Sequence, residues 1–321
     1  MMLEQVRERQ NVAITITPFD ATLGAIVTDV SLADLDDATW EAIHAAFLTY
    51  GVLVFPDQQL DDDAQGRFAF RFGELEQMSP KGETPTFPIA NTKPDGTLTN
   101  EADEQYRILK GNEAWHTDST YMPIASKAAM LSAVVIPPQG GETEFADMRA
   151  AWDALDPARQ RQLVGLSAYH SFYYSQARQG YIHTTDHIYG FHDKGAPLRP
   201  IVKTHPETGR KSIYTGRHAH NIPGMTPEAS QTLLDELLDW ACQPPRTYKH
   251  TWSVGDLVVW DNRCLMHRAC PYDESEPRHL RGSRISGDPA GELAPTFEDS
   301  RAAAYNPSAS NKSALVAGNS A

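Results

Sequence analysis

Apolar and polar side chains alternate over residues 12–17 (Val-Ala-Ile-Thr-Ile-Thr) and most are β-branched, which predicts a strand. Residues 23–30 predict another after a turn. The period then lengthens. Trp40, Ile43, Phe47 and Leu48 fall on one helical face behind an N-cap at Asp36 or Asp37, and Gly51 stops that helix. Residues 52–55 (Val-Leu-Val-Phe) read as a buried strand before Pro56. A second amphipathic helix starts near Asp62, gathers Ala64, Phe68 and Phe72 on one side, and ends at Gly73. Those aromatics are expected in the core.

Periodicity disappears over residues 76–111, which are rich in Pro, Gly, Thr and Asn and predict a long loop of the kind that forms functional lids. A strong strand follows at 128–136 and is closed by Pro137-Pro138. Gln139-Gly140-Gly141 turns the chain into a strand at 142–145; residues 147–163 predict a helix and 166–172 a return to strand. Residues 173–197 are irregular and make a second candidate lid. Strands are expected at 199–204 and 211–215. Thr226-Pro227 opens a helix, a capping hydroxyl followed by proline at the first helical position, and Leu233, Leu234, Leu237 and Leu238 carry it to about Ala241. The final strands are predicted at 248–252, 257–260 and 278–286.

Many short strands, helices grouped early and again late, and no βαβ alternation imply a mainly β fold with flanking helices. The natural candidate is a jelly roll. No repeat is visible, so residues 1–289 are expected to form a single domain. Beyond that point Ala, Ser and Asn dominate with little to bury, and residues 290–321 are expected to be a mostly disordered tail.

Composition narrows the function classes. The formal net charge is −14 and no cluster of five or six basic residues occurs, which argues against nucleic acid or an anionic membrane surface as a partner. No apolar run approaches the roughly 20 residues needed to span a bilayer. The N-terminal residues have no signal-peptide core, and three cysteines (Cys242, Cys264, Cys270) are too few for a disulfide framework. A cytoplasmic location, a small-molecule substrate and an open question of homo-oligomerisation are the resulting expectations.

The chemistry centres on Trp115-His116-Thr117-Asp118-Ser119-Thr120-Tyr121. On a strand, residues i and i+2 face the same way, so His116 and Asp118 would converge on one ion. A third ligand should come from elsewhere, and His267 offers it, a short apolar step after the polar turn Asp261-Asn262. Two histidines and a carboxylate occupy one face of an octahedral Fe(II) and leave three positions for a bidentate organic acid and O₂. A competing arrangement is a zinc cluster of Cys264, His267 and Cys270, although no fourth ligand stands nearby. Arg278, eleven residues after His267, begins the last predicted strand, and a guanidinium there would grip the far carboxylate of 2-oxoglutarate bidentately.

Taken together, these residues resemble the taurine/2,4-dichlorophenoxyacetate dioxygenase (TauD/TfdA) family of Fe(II)/2-oxoglutarate-dependent dioxygenases. The similarity rests on Asn112-x-x-Trp115-His116-x-Asp118-Ser119, on the stretch from Met130 through Pro137-Pro138-x-Gly140-Gly141-x-Thr143-Glu144-Phe145 to Ala151, and on Gly255-Asp256-Leu257-Val258-x-Trp260-Asp261-Asn262-Arg263 with His267-Arg268. It covers about residues 12–288 and is greatest to the phenoxyacetate-cleaving branch. It implies a double-stranded β-helix, a cupin-like jelly-roll variant. It also implies His116, Asp118 and His267 as iron ligands, Thr143 and Arg278 as partners of 2-oxoglutarate, and Asn112 as a pocket residue.

The implied reaction is hydroxylation of a C–H bond with release of succinate and CO₂, and ether cleavage where that carbon bears an ether oxygen. Asp118 favours hydroxylation over halogenation, because halogenases of this type replace the carboxylate with a small residue. One position departs from the family pattern. Branches that oxidise taurine or phenoxyacetates carry a second, substrate-gripping arginine fifteen residues after the distal histidine, where this chain has Gly282. Arg284 lies roughly 6–7 Å further along the face expected to carry Arg278, while Arg281 should point away. The alternatives are that Arg284 replaces the missing arginine and holds an acid of different length, that Gly282 makes room for a larger or uncharged substrate, or that Arg284 forms a structural ion pair.

Rivals from other classes lack their signatures. There is no Gly-x-Ser-x-Gly elbow for a serine hydrolase, and Gly209-Arg210-Lys211-Ser212 is only the end of a phosphate-binding loop. A non-catalytic metal-binding jelly roll is the alternative that shares the same residues.

Overall fold

Residues 14–78, 84–181 and 195–299 are described by a computed structural model. β1 (Thr15–Pro18) and β2 (Ala25–Thr28) form an antiparallel ribbon, and β3 (Val52–Phe55) joins β2 in parallel. Between them runs α1 (Asp37–Tyr50), whose N-cap is Asp36: its carboxylate accepts from the Thr39 N–H at 2.7 Å. α2 (Asp62–Phe70) is capped in the same way by Asp61. Residues 12 and 13, the start of the first predicted strand, lie outside the described residues.

The segment 76–111 is not the loop that its composition suggests. It contains β4 (Phe87–Ala90) and α3 (Glu104–Gly111). β4 hides its nature behind Pro88, which a strand tolerates only at an edge, and β4 is an edge strand. β5 (Ser126–Val135) and β6 (Thr143–Asp147) follow as expected, but the predicted helix at 147–163 is two, α4 (Met148–Asp153) and α5 (Pro157–Leu163), because Asp156 and Pro157 cap and start a new one. β7 (Ser167–His170) gives way to α6 (Phe172–Ala177) where irregular chain was expected; residues 182–194 of that candidate lid lie outside the described residues.

β8 (Ala196–Pro200), β9 (Val202–Thr204), β10 (Lys211–Ile213) and β11 (Ala219–His220) precede α7 (Pro227–Ala241), which Thr226 caps. β12 (Thr247–His250), β13 (Leu257–Asp261), β14 (Leu265–Ala269) and β15 (His279–Ser286) complete the core. Order continues past residue 289 into α8 (Pro289–Glu292) and β16 (Thr296–Phe297), which pairs with β8. Glu292 is buried against the Lys203 ammonium, and its carbonyl accepts from Arg199 at 3.1 Å. That ion pair holds a segment whose composition alone suggests disorder; residues 300–321 lie outside the described residues. No helix among the described residues is long and apolar enough to cross a membrane.

The sheets make the jelly-roll sandwich. A seven-stranded sheet runs β1-β2-β3-β13-β5-β15-β4, and a three-stranded sheet runs β12-β6-β14. Strand alternation sorts the large sheet's side chains into two layers. Leu53, Phe55, Met130, Leu257 and Val259 face α1 and α2, meeting Ile43, Phe47, Phe68 and Phe72. Val54, Leu131, Val258, Trp260 and Leu280 face the other way, toward Phe145 and Leu265 of the small sheet. Each fully buried Phe or Leu contributes about 2–3 kcal/mol. The second layer is where the polar residues of the site enter.

One polar knot fixes the end of β13. Asp261 is fully buried, and its carboxylate accepts from Arg263 Nε and Nη2 at 2.8 and 2.7 Å and meets His205 Nε2 at 2.9 Å. Burial would raise its pKa, but the Arg263 guanidinium outweighs it and holds the carboxyl well below the usual range. Asp261→Ala strands Arg263 without this partner and should cost about 3–5 kcal/mol of stability in urea unfolding. A loss under about 1 kcal/mol would show that the knot adds little beyond packing.

Candidate active site

His116, Asp118 and His267 come together with their ligand atoms within 4.8 Å of one another, all buried. The convergence does not arise from a regular strand. His116 makes an isolated bridge with His267, each N–H donating to the other's carbonyl at 3.0 and 2.8 Å, and residues 118–120 then turn, with Ser119 at φ 55°. His267 itself lies in β14, with Phe145 and Trp260 rings beside it.

The donor set fits a divalent ion. His116 Nδ1 lies 2.8 Å from the Ala114 carbonyl, which fixes the proton there and leaves Nε2 with its lone pair. Burial lowers both imidazoles, His267 to about 4, so both are neutral and each can offer a lone pair. Burial pushes Asp118 up, yet Arg284 and the two histidines hold it below its ordinary value, so it stays ionised. His267 Nε2 stands 3.8 Å from Asp118 Oδ2, beyond hydrogen-bonding reach and suited to two donors sharing one ion.

A second layer orients Asp118. Asn262 Nδ2 donates to Oδ2 at 3.3 Å, and Asn262 is itself held by Trp260 Nε1 at 2.9 Å. Arg284 Nη2 donates to Oδ1 at 2.7 Å. Ser119 donates to Glu76 at 2.8 Å; burial raises that carboxyl to about 7, against the opposing pull of Arg284.

The zinc alternative is not assembled. Among the described residues the metal-competent groups are His116-Asp118-His267 and His205-Asp261-Cys264, and Cys270 belongs to neither. In the second group Asp261 is committed to Arg263, and burial pushes the Cys264 thiol up.

Two cavities meet at the triad. The smaller, about 60 Å³, runs from His116, Asp118 and His267 to Thr143 and Arg278. Arg278 is buried, and its Nε and Nη2 donate to the Gly141 carbonyl at 3.1 and 2.8 Å. Gly141 has φ 72°, and a Cβ there would press on Arg278 Nε at 3.0 Å, so the Gly140-Gly141 turn is shaped around the guanidinium. Thr143 Oγ1 accepts from Trp252 Nε1 at 3.1 Å. The larger cavity, about 420 Å³, is walled by β4 and α3 through Phe87, Ile89, Ile108 and Leu109, and by Tyr121 and Phe172 opposite. Asn112 lines both cavities.

The chain matches the Taurine catabolism dioxygenase TauD, TfdA family over residues 15–284. It belongs to that family. It is 53% identical to an (S)-phenoxypropionate/alpha-ketoglutarate-dioxygenase of Sphingobium herbicidovorans, across 88% of this chain and 98% of the relative. Identity to an alpha-ketoglutarate-dependent 2,4-dichlorophenoxyacetate dioxygenase of Cupriavidus pinatubonensis is 37%, across 86% and 99%. Among solved structures, AAD-2 in complex with Mn(II) and N-oxalylglycine superimposes with a TM-score of 0.79 at 35% identity, covering 89% of this chain and all of that one. This TauD/TfdA protein is accordingly a 2-oxoglutarate-dependent dioxygenase with a jelly-roll fold.

Against the TauD/TfdA pattern, the departure at residue 282 resolves differently from expectation. Gly282 opens no room: a Cβ there would lie 2.7 Å from the Phe87 ring, which fills the space. Arg284 does line both cavities, but it is bound to Asp118. Arg281 points away to Asp62, as the strand alternation requires. The sequence reading missed Arg217 and His218, which line the larger cavity from the turn between β10 and β11. Nothing periodic marks them; the nearest signal is Gly216 in a polar run, Thr215-Gly216-Arg217-His218.

Proposed function

We propose that this dioxygenase cleaves the ether of 2-aryloxyalkanoic acids, with Fe(II) held by His116, Asp118 and His267 and 2-oxoglutarate held by Arg278 and Thr143. The observation that carries the assignment is the meeting of two unlike cavities at one His-Asp-His face. The smaller ends in a buried guanidinium with no acidic partner among the described residues, which suits a small dicarboxylate. N-oxalylglycine in the related AAD-2 structure has that shape, a 2-oxo acid with a distal carboxylate. The larger is aromatic and aliphatic, which suits an aryl group.

Bound iron, with 2-oxoglutarate and O₂, would supply the oxidising equivalents for C–H hydroxylation. The chain's own residues supply placement. Arg278 fixes the far carboxylate of the cosubstrate, and the Thr143 hydroxyl, oriented by Trp252, adds a donor beside it. Trp260, Phe145 and Tyr121 keep water from the face that the ligands share. Phe87, Ile108 and Leu109 hold the aryl ring so that the carbon bearing the ether oxygen is the one presented. Hydroxylation at that carbon gives a hemiketal or hemiacetal, which collapses to a phenol and a 2-oxo acid. For 2-phenoxypropionate the balance is substrate, 2-oxoglutarate and O₂ going to phenol, pyruvate, succinate and CO₂.

The test is turnover with Fe(II), ascorbate and 2-oxoglutarate across both enantiomers of phenoxypropionate, phenoxyacetate, taurine, alkyl sulfates and N-acyl amino acids. Phenol and succinate formed in equal amounts from an aryloxyalkanoate is the expected result. Succinate stimulated only by a sulfonate or sulfate would move the substrate class, and no stimulation by any aryloxyalkanoate would overturn the ether-cleavage assignment.

A further inference from the structure

Arg278 lies just outside the regular part of its strand. β15 begins at the next residue, and its pairing with β5 slips between His279 and Leu280. The ladder alone therefore does not fix the residue that ends the smaller cavity. Packing from behind does not fix it either, because a cavity of about 40 Å³ lined by Tyr106, Lys110, Asn112 and Tyr272 opens at the back of Arg278.

Asn91 supplies the missing hold. It follows β4 directly and is 4% exposed. Its Oδ1 accepts from the Arg278 N–H at 2.8 Å, and its own N–H donates to the Arg278 carbonyl at 3.1 Å. Its Nδ2 donates to the carbonyls of Glu276 at 2.9 Å and Glu274 at 3.3 Å. One buried amide thus closes the turn that delivers Arg278, using its acceptor and its donors together. The far end of the side chain is set separately, by the Gly141 carbonyl and by the Tyr272 ring, whose centroid lies 5.6 Å from the guanidinium carbon. With its main chain fixed at one end and its guanidinium at the other, Arg278 has one course into the smaller cavity. Asn91 stands behind that cavity and is not part of its lining. The support it stands on is shared: Phe87 and Ile89 of β4 wall the larger cavity, the Ala90 carbonyl accepts from Gln105 of α3, and Lys110 of α3 pairs with Glu274 at 2.9 Å.

We propose that Asn91 is a positioning residue for cosubstrate binding: it sets the backbone of Arg278 so that the guanidinium meets the far carboxylate of 2-oxoglutarate, without touching that molecule itself. This inference rests on the cosubstrate assignment above, and its test separates the two.

Calorimetry on Mn(II)-loaded protein compares N-oxalylglycine with oxalate, which chelates a metal through two adjacent oxygens and has no distal carboxylate. Asn91→Ala should weaken N-oxalylglycine about tenfold and oxalate by less than about twofold. In an Arg278→Ala background the same substitution should change N-oxalylglycine affinity by less than about twofold, because the group being positioned is gone. If Asn91→Ala does not fold, Asn91→Ser, a polar side chain too short to span the turn, carries the same comparison. Unchanged affinity for N-oxalylglycine, equal weakening of both ligands, or a loss undiminished in the Arg278→Ala background overturns the positioning role and leaves the cosubstrate assignment standing. Full N-oxalylglycine affinity in Arg278→Ala alone overturns both.

Discussion

Asp118→Ala is expected to leave less than about 1% of wild-type succinate formation and to release the metal on dialysis. Two effects add. The substitution removes the anionic donor of the triad, and it frees Arg284 from the carboxylate that it meets at 2.7 Å. The guanidinium then faces a dication across a buried site. At an effective dielectric of about 20, two unit charges about 4 Å apart interact by about 4 kcal/mol, which is roughly a thousandfold in affinity. Asp118→Ala/Arg284→Ala should therefore regain part of the metal binding while staying inactive. Metal content by atomic absorption reads the first effect and succinate the second. Retention of wild-type metal content by Asp118→Ala would place the ion elsewhere.

Arg278→Ala carries the next largest effect, a rise of about 100-fold or more in the KM for 2-oxoglutarate, because truncating one side of a buried charge pair costs about 3 kcal/mol. The neighbours do not replace the lost cation, since Thr143 is a neutral hydroxyl and Arg284, which also lines the smaller cavity, is held by Asp118. The loss should be selective. Oxo acids that lack the distal carboxylate have nothing for Arg278 to hold, so their already poor use should change by less than about threefold. Comparing 2-oxoglutarate with 2-oxobutyrate in the two proteins checks this, and an equal loss with both would mean that Arg278 acts on the fold and not on the cosubstrate.

The His116, Asp118 and His267 grouping was legible in the sequence because each of the three sits beside strong punctuation. Trp115-His116-x-Asp118 follows a helix end, and His267 follows a buried strand and a polar turn. The geometry was less legible. Convergence of His116 and Asp118 comes from an isolated bridge and a turn at Ser119, which period-2 reasoning cannot represent. Arg278 could be placed because it immediately precedes a long strand, and the alternation along that strand sends Arg281 outward. β4 and α3 escaped notice because Pro88 and a polar helix face look like loop, although their apolar side chains wall the larger cavity. Arg217 escaped for a different reason. It belongs to no periodic element, and its position depends on a glycine approaching a backbone 100 residues away.

In the family pattern, both carboxylate-gripping arginines share one strand, four residues apart. Here the second position is closed by Phe87, and the Arg217 guanidinium lines the larger cavity from the turn before β11. Arg278 at the smaller cavity and Arg217 at the larger thereby sit on two segments that do not adjoin in sequence. Substitutions in the Arg217 turn can therefore reshape the wall of the larger cavity while β15, with Arg278 just before it, is left untouched.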